Sequence, residues 1–382
     1  MAGMAERIYL DWNATAPLRS EVRAAMASAW DLSGNPSSVH AEGRQARHLV
    51  EEARGVLAQA LGAPPRNIVF TSGGTEANAL ALSPGLYREA GRPVERLLVS
   101  AIEHTSVLAG GRFAPDRIGS VPVTPSGLVD LDALGAILAS GPPALVSLMA
   151  ANNETGAVQP VAEAAAAVHA AGSLLHVDAI QAFGKIPINM SRLGADLLTL
   201  SAHKIGGPKG VGALVIGEGV SGLDPLLRGG GQERGRRAGT EDVAGIAGFG
   251  AATAAAVAAM AADLPRIEGL RNRLEAGLRE QAGITIFSAD VARLPNTILF
   301  TASGLKAETA VISFDLEGVA VSSGSACSSG KVQPSHVLLA MGVGPGEAQG
   351  AVRLSLGWST SDRDVDRCLE AWRKLRRHLV KG

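Results

Sequence analysis

Short apolar runs alternate along the chain with longer segments in which apolar residues recur every three or four positions. Runs bounded by polar or glycine-rich stretches are typical of buried strands, and the longer spacing is typical of helices. The pattern predicts strands at residues 67–71, 96–100, 144–149, 174–178, 196–200 and 211–216, and helices at residues 21–30 and 43–61. This alternation indicates an α/β fold.

Residues 243–262 form an uncharged stretch of twenty residues, long enough to cross a bilayer. Most of them are Ala or Gly, which gain little from lipid. The bulky members recur at intervals of three or four, apart from one gap of eight. This spacing favours a helix packed against other protein over a membrane span.

The alternation restarts on a smaller scale at about Asp263. It predicts a helix at residues 266–282, a strand at 296–300 and a helix at 306–317. We therefore expect a large domain formed by residues 16–260 and a small α+β domain formed by residues 1–15 and 261–382.

Composition narrows the class of protein. The chain has 382 residues, of which 46% are hydrophobic and 19% charged, so it can bury a large core. A net charge of −1 and a pI near 6.7 leave no basic surface for nucleic acid. Two cysteines are too few for a disulfide framework, and the first residues carry no apolar signal region. We expect a cytoplasmic protein with neither a membrane nor a nucleic-acid partner.

A polar loop from Ser201 to Gly210 joins two predicted strands and contains Lys204. A lysine beside groups that hydrogen-bond an anion suits a covalent link to a phosphate-bearing aldehyde such as pyridoxal phosphate (PLP). A solvated turn lysine explains the same residues. Asp178 ends a predicted strand 26 residues earlier, so both residues can lie at neighbouring strand ends. A carboxylate there needs a cation, and a protonated pyridine nitrogen is one.

These residues resemble a known family. The segments HVDAIQ (176–181) and SAHKIGGPKG (201–210) resemble the fold-type I PLP enzymes, specifically the class V aminotransferase group, and look very like the NifS/IscS-like cysteine desulfurases. The resemblance runs from Tyr9 to about Leu379. It implies a mostly parallel sheet flanked by helices, a smaller α+β domain, bound PLP and a homodimer. It also implies cofactor contacts from Asp178, Gln181, Ser201, His203 and Lys204.

Residues 67–80 read as a strand, a Gly-Gly turn and a helix start. Exposed amides at a helix N-terminus, with the Thr75 hydroxyl, form a phosphate site. A capped helix with Glu76 in its first turn explains the same residues without a ligand. The segment SGGTE (72–76) resembles the family's phosphate loop, which implies that Gly74 and Thr75 hold the PLP phosphate.

His104 and Asn153 follow predicted strands at their carboxyl ends, where ligands gather in an open α/β sheet. Core or surface positions are the ordinary alternative for such residues. The resemblance implies that His104 stacks on the PLP ring and that Asn153 contacts cofactor and substrate. Asn35 lies in a loop that composition alone assigns to the surface, and only the family match favours a substrate pocket.

Residues 227–240 are too glycine-rich and basic to pack as a core element, and read as a loop suited to anions. The loop resembles the one through which a second subunit reaches the PLP phosphate, which implies that Thr240 is the contact. Gln232 stands where most such desulfurases have a histidine, and we have no physical account of the change.

Cys327 lies among small residues that cannot pack around it, and this favours an accessible, reactive thiol over a structural one. No second cysteine or histidine lies at metal-ligand spacing, and Cys368 falls in a helical pattern. The motif SSGSAC (322–327), followed by PSHV (334–337), resembles the desulfurase subgroup with a long cysteine loop. Arg353 lies in an alternating strand, and the resemblance implies that it binds the substrate carboxylate.

The resemblance implies removal of sulfur from L-cysteine, which gives L-alanine and a persulfide on Cys327. Lys204 takes the α-proton and His104 shuttles protons to and from the substrate thiol. The persulfide sulfur passes to an acceptor protein of cluster assembly, tRNA thiolation or molybdenum-cofactor synthesis. Two alternatives remain: another class V enzyme, such as a selenocysteine lyase or an aminotransferase with Cys327 incidental, and an inactive scaffold.

Overall fold

The computed structural model describes residues 7–88, 91–324 and 333–379. Within them, a seven-stranded sheet forms the centre of the larger part of the molecule, in the order β2-β9-β8-β7-β6-β4-β5. The five strands from β8 to β5 in this order are parallel, and β9 is antiparallel to both of its neighbours. The strands are β2 (Ile68–Thr71), β4 (Arg96–Ser100), β5 (Ile118–Val121), β6 (Ala144–Met149), β7 (Leu174–Asp178), β8 (Leu197–Ser201) and β9 (Gly212–Ile216).

The other strands that the structure describes lie outside this sheet. A second, antiparallel sheet has the order β11-β12-β15-β14, while β1 pairs with β13 and β3 with β10. These strands are β1 (Ile8–Tyr9), β3 (Tyr87–Arg88), β10 (Val220–Ser221), β11 (Ile284–Ile286), β12 (Thr297–Ala302), β13 (Val319–Ala320), β14 (Ser322–Ser323) and β15 (Val352–Ser355).

Helices cover the sheets, and the apolar stripe predicted for residues 43–61 lies on α2, which packs with α1 against α8. The helices are α1 (Ser20–Trp30), α2 (Ala41–Leu61), α3 (Gly74–Ala81), α4 (Thr105–Leu108), α5 (Leu131–Ala139), α6 (Val161–Ala170), α7 (Met190–Leu193), α8 (Val243–Arg279), α9 (Ala307–Leu316), α10 (His336–Ala340), α11 (Pro345–Gln349) and α12 (Asp362–Leu379). The predicted α/β class, with a mostly parallel sheet flanked by helices, is confirmed.

Helix α8 differs from the prediction, which placed separate helices at residues 243–262 and 266–282. A single helix of 37 residues continues through Pro265. A proline inside a helix removes one hydrogen bond and costs about 3 kcal/mol. Packing on both sides of the proline offsets this cost: Ile246 and Phe249 lie in the large core, and Leu270 lies in the small one. Arg266, one residue after the proline, also ties the helix to the backbone of Thr360 through a hydrogen bond of 2.7 Å.

Among the described residues, α8 is the one helix long and apolar enough to cross a membrane, and half of its apolar window is buried inside the protein. Its buried positions include Ala244, Phe249, Ala252 and Ala256. Contacts with α1 and α2 account for that burial. The expected packing of small residues against other protein is therefore present.

A second hydrophobic core lies apart from the large sheet. It combines Ile8 and Leu10 from the start of the chain with residues from the second half of α8 onwards, including Phe300, Phe314 and Trp372. We propose that the two cores correspond to two domains, formed by residues 16–260 and by residues 1–15 with 261–382. The division then cuts α8 rather than a loop, because each half of that helix packs in a different core.

The Trp372 ring is fully buried between Phe300 and Phe314, with ring centroids 5.2 and 6.4 Å away. We expect Trp372→Ala to lower the free energy of unfolding by about 3–5 kcal/mol, because it leaves a cavity in the small core. Denaturant titration measures this value. Trp30 is 69% exposed, so Trp30→Ala is the matched control and should cost little. Equal losses in the two variants would contradict the assigned packing.

Candidate active site

A cavity of about 310 Å³ opens at the edge of the large sheet where the parallel strands end. Strands β4, β6, β7 and β8 run in one direction, so their carboxyl ends meet at this edge. Arg353 reaches the same cavity from the small sheet. The structure thus brings together ten of the predicted site residues: Gly74, Thr75, His104, Asn153, Asp178, Gln181, Ser201, His203, Lys204 and Arg353.

Asp178 is the last residue of β7, and only 4% of its surface is exposed. Its carboxylate accepts hydrogen bonds of 2.9 Å from the Asn78 amide and from the Ile180 backbone N–H. Burial raises the pKa of Asp178, while these hydrogen bonds and the charges of His104 and Lys204 act in the opposite direction. A cationic group in the cavity would therefore stabilise its ionised form.

Lys204 ends a short 3₁₀ turn, Ala202–Lys204, that directly follows β8. Its Nζ donates hydrogen bonds to the backbone oxygens of Asn13 (2.7 Å) and Ala14 (2.8 Å). These bonds hold the amine at the cavity next to the strand that ends in Asp178. The neighbouring His203 is neutral, because burial, and secondarily the charge of Lys204, lowers its pKa to about 4.

His104 caps the short helix α4 through its own side chain. Its Nδ1 accepts a hydrogen bond of 3.1 Å from the Ser106 backbone N–H. Burial lowers the pKa of His104, opposed by the charge of Asp178. In the neutral ring Nδ1 is therefore the acceptor, and the proton resides on Nε2.

Helix α3 begins at the cavity with Gly74 and Thr75, where the first backbone N–H groups of the helix have no partner within it. A Cβ added at Gly74 would lie 2.3 Å from the Ile180 side chain, so glycine keeps this entrance open. Ser201 and His203 line the cavity as well. The arrangement has the polarity required by an anionic group such as a phosphate.

Arg353 is 2% exposed and lies in β15. Its guanidinium donates to the Asn153 backbone oxygen at 3.0 Å and to the Asp11 carboxylate at 2.8 Å. Its Nε has no hydrogen-bond partner among the described residues. A buried guanidinium at a cavity, with N–H groups beyond the two that these bonds use, is suited to a carboxylate ligand.

Sequence reasoning missed Asn13, which links the small sheet to the segments that follow β6 and β7. Its Nδ2 donates to the Asn153 backbone oxygen at 3.2 Å and to Thr297 Oγ1 at 2.9 Å, and its Oδ1 accepts from Lys185 Nζ at 2.8 Å. Lys185 also donates to Gln181 at 2.7 Å, and burial lowers the pKa of Lys185 well below its usual value. Asn13 lies in the stretch covered by the family resemblance, which begins at Tyr9, and that resemblance was the one available signal.

Two of the predicted residues lie elsewhere. Asn35 is exposed, and its side chain accepts a hydrogen bond from the Ser37 backbone. Thr240 lines a separate cavity of about 140 Å³ together with Glu233 and Arg237. Within one chain, neither residue reaches the cavity that contains Lys204, because both belong to loops on other parts of the surface.

Glu233 holds the Thr240 loop to α2 and β2. Its buried carboxylate pairs with both terminal nitrogens of Arg54 at 2.8 and 2.9 Å, and it accepts a hydrogen bond from the Phe70 backbone. Gln232, the departure from the usual histidine, accepts a hydrogen bond of 3.2 Å from the Gly239 N–H and so closes the loop on itself. The structure thus assigns Gln232 a local contact.

Cys327 lies outside the described residues. Before its segment, Ser322 pairs across the small sheet with Arg353, which lines the cavity. Beyond the segment, Ser335 donates to the buried Glu154 carboxylate, and His336 Nε2 lies 3.0 Å from the Glu103 backbone oxygen.

Comparison with known families decides the identity of the chain. The family model described as aminotransferase class V matches residues 8–368. The chain belongs to the class V aminotransferase family. The cysteine desulfurase IscS of Dictyoglomus turgidum is 40% identical over 97% of this chain and 95% of its own length. This confirms the prediction that the chain is one of the NifS/IscS-like cysteine desulfurases and has their enzymatic activity.

Solved structures agree with this assignment. A NifS-like protein from Rickettsia africae matches 97% of this chain and 100% of its own, with a TM-score of 0.88 and 39% identity. A structure of SspA in complex with cysteine matches 93% of this chain and 100% of its own, with a TM-score of 0.75 and 31% identity. The family is PLP-dependent.

Glu154 provides a pH-dependent prediction. Burial raises its pKa to about 7, against the Ser335 hydrogen bond and the Arg353 charge. The unfolded chain releases this proton above about pH 4.3, so the stabilising contribution is complete below that pH and is lost as the pH rises through about 7. Between about pH 5 and 8 we expect the free energy of unfolding to fall by about 2–3 kcal/mol more in the wild type than in Glu154→Gln.

Denaturant titrations at a series of pH values measure this difference. Glu163 is exposed, so Glu163→Gln is the matched control and should follow the wild type at every pH. Parallel pH curves for the wild type and Glu154→Gln would show that Glu154 is ionised throughout.

Proposed function

We propose that the cavity binds PLP and that Lys204 carries the cofactor. The observation that supports this most strongly is the position of Asp178 and Lys204 at neighbouring ends of β7 and β8. The buried Asp178 carboxylate calls for a cation, which the protonated ring nitrogen supplies, and Lys204 supplies the amine for the aldehyde. His104 and Gln181 line the space that the ring would occupy.

The phosphate belongs at the start of α3. Gly74 and Thr75 offer backbone N–H groups and a hydroxyl, and Ser201 and His203 stand beside them. The His203 ring can donate an N–H hydrogen bond to the phosphate. When bound, PLP stores the electron pair released from the substrate Cα–H bond.

We further propose L-cysteine as the substrate, held by its carboxylate on Arg353 with Asn153 beside it. The position of Arg353 at the cavity and the burial of its guanidinium support this role. Asn35 is proposed as a further substrate contact; it lies away from the cavity of its own chain, so it can act only in the partner's cavity.

Three groups of this chain handle protons and sulfur. Lys204 Nζ removes the substrate Cα proton, and His104 exchanges a proton with the substrate thiol through Nε2. The Cys327 thiolate then attacks the substrate sulfur. One S–S bond forms and the substrate C–S bond breaks, so that cysteine and the thiol give alanine and a persulfide. The carbon that lost sulfur gains a proton.

We propose a homodimer with composite sites. The loop that ends in Thr240 is pinned at Glu233 by the buried ion pair with Arg54, so its position is set by its own subunit. Thr240 nevertheless lies away from the cavity of that subunit. A second copy would use Thr240 as a contact to the PLP phosphate.

The persulfide on Cys327 is proposed to pass to a protein acceptor in cluster assembly, tRNA thiolation or molybdenum-cofactor synthesis. A persulfide transfers sulfur by exchange with an acceptor thiol, and this requires access to Cys327. The cytoplasmic location expected from the sequence stays a prediction.

The cofactor assignment predicts that borohydride makes the link between PLP and the protein permanent on one lysine. Peptide mapping of the reduced protein should find the pyridoxyl group on the peptide that contains Lys204. Lys204→Ala should lose this label and the visible absorbance of the bound cofactor. Lys209→Ala is the control and should keep both, because Lys209 does not line the cavity. A label on Lys185 or Lys209 would overturn the assignment.

The sulfur-transfer assignment predicts that Cys327→Ser still binds PLP but releases alanine at least about a hundredfold more slowly, because the group that accepts sulfur is gone. Mass spectrometry of the wild type after brief exposure to cysteine should show one added sulfur on the Cys327 peptide, removable by a reductant. Cys368 is fully buried, and burial raises its pKa to about 12, so Cys368→Ala should retain the wild-type rate. Near-normal alanine production by Cys327→Ser would indicate a lyase that releases sulfide directly.

A further inference from the structure

The guanidinium proposed to hold the substrate carboxylate already has a carboxylate partner in this chain. Arg353 donates from one terminal nitrogen to Asp11 Oδ1 at 2.8 Å and from the other to the Asn153 backbone oxygen at 3.0 Å. Asp11 follows β1, and a backbone bridge to Ser355 keeps it beside β15. Among the residues that the structure describes, Arg353 is the one side chain that donates a hydrogen bond to the Asp11 carboxylate.

The two bonds leave room on the guanidinium for a ligand. Each terminal nitrogen of an arginine carries two N–H groups, and the described bonds use one on each nitrogen of Arg353. One N–H on each nitrogen therefore remains, and a carboxylate can accept both. Such a ligand would share the guanidinium with Asp11 and would not have to displace it. Two carboxylates would then face one positive charge.

Two like charges on one guanidinium repel each other, so the first weakens the binding of the second. The Asp11 side chain is 21% exposed, which means that water screens part of this repulsion and the effect is moderate. Glu154 is a further carboxyl that faces Arg353, but burial raises its pKa to about 7. Below that pH most of Glu154 is uncharged, and Asp11 is the partner that carries the charge.

We propose that Asp11 lowers the affinity of the site for the α-carboxylate that cysteine and alanine share, and thereby raises KM for cysteine and speeds the release of alanine. The inference rests on the proposed role of Arg353 in binding the substrate carboxylate. Substrate and product carry the same carboxylate, so Asp11 weakens the binding of both by the same factor. A guanidinium that is partly neutralised by its own chain can hold the substrate and still let the product leave.

The ion pair could instead serve to orient Arg353, and the structure offers a substitution that separates the two roles. Arg353 is 2% exposed within β15, and its bond to the Asn153 backbone oxygen does not involve Asp11. In Asp11→Asn an oxygen still faces the guanidinium, because a guanidinium only donates and therefore selects the amide oxygen. The substitution removes the charge and keeps the hydrogen bond.

The test is a titration of the holoenzyme with L-alanine, which has the carboxylate of the substrate but no thiol. The change in the visible absorbance of the bound cofactor gives the dissociation constant, and KM for cysteine is measured in parallel. Titration at about pH 6 keeps most of Glu154 uncharged. Asp11→Glu retains the charge. Asp224→Asn is the matched control, because Asp224 pairs with Arg112 at 3.0 Å and neither residue lines the cavity.

We expect Asp11→Asn to bind alanine about five- to tenfold more tightly than the wild type, because a charge in contact with Arg353 is gone. KM for cysteine should fall by a similar factor. The value of kcat should not rise with it, because the carboxylate is held alike before and during the reaction. Neither Asp11→Glu nor Asp224→Asn should tighten the binding of alanine.

Unchanged binding of alanine by Asp11→Asn would overturn the inference, and weaker binding would show that Asp11 orients Arg353. Equal tightening in Asp11→Glu would also overturn it, because the charge would then not be the cause. Failure of the proposed function has a different signature. Arg353→Gln would then bind alanine as the wild type does, or the wild type would show no absorbance from bound PLP.

Discussion

A carboxylate buried at the end of a central strand is the constraint on which the site depends. Asp178 loses most of its hydration at the end of β7, and its two described hydrogen bonds come from neutral groups. Burying this charge costs free energy, and pairing with a cation offsets that cost. Parallel strands bring Lys204 and His104 to the same sheet edge, where a cationic ring and its amine anchor can meet that requirement.

The same cavity depends on the junction of the two cores. Arg353 enters it from the small sheet, and Asn13 bonds to Thr297 in that sheet and to Lys185, which follows β7 of the large sheet. Helix α8 crosses the junction as one continuous element, despite Pro265. The position of the Arg353 guanidinium relative to Lys204 is therefore set by packing between the cores as much as by the strands. A small displacement of one core would move Arg353 away from the site.

Two buried polar systems flank the cavity and differ in kind. Hydrogen bonds run from Ser147 through His176, Thr199, Asn78 and Ser106 to His104. These groups are uncharged side chains, so they can rigidify the site without a charge penalty. Glu154, in contrast, is a carboxyl whose pKa burial raises to about 7, and it holds Ser335 at the start of α10. The segment that follows β14 and contains Cys327 thus leads into an anchor that is sensitive to pH.

Much of the architecture was determined by the sequence alone. Apolar runs of a few residues predicted the central strands, and the motifs around Asp178 and Lys204 predicted the cofactor edge, because strand periodicity and local motif spacing are short-range properties. The family, the α/β class and the cysteine desulfurase activity followed from those motifs. The long helix α8 was divided wrongly, since a proline is a local signal for a break and the packing that offsets it comes from distant residues.

Only the tertiary structure decided which polar residues support the site. Asn78 meets Asp178 across 100 positions of sequence, and Asn13 meets Lys185 across 172. No local pattern distinguishes these residues from an ordinary helix or loop asparagine, because their partners are set by how the sheet and the two cores assemble. The tautomer of His104 is a local property by comparison, because the Ser106 backbone N–H two residues away makes Nδ1 the acceptor. The partners of Asn78, in contrast, are brought to it only once β7, β8 and α3 have packed together.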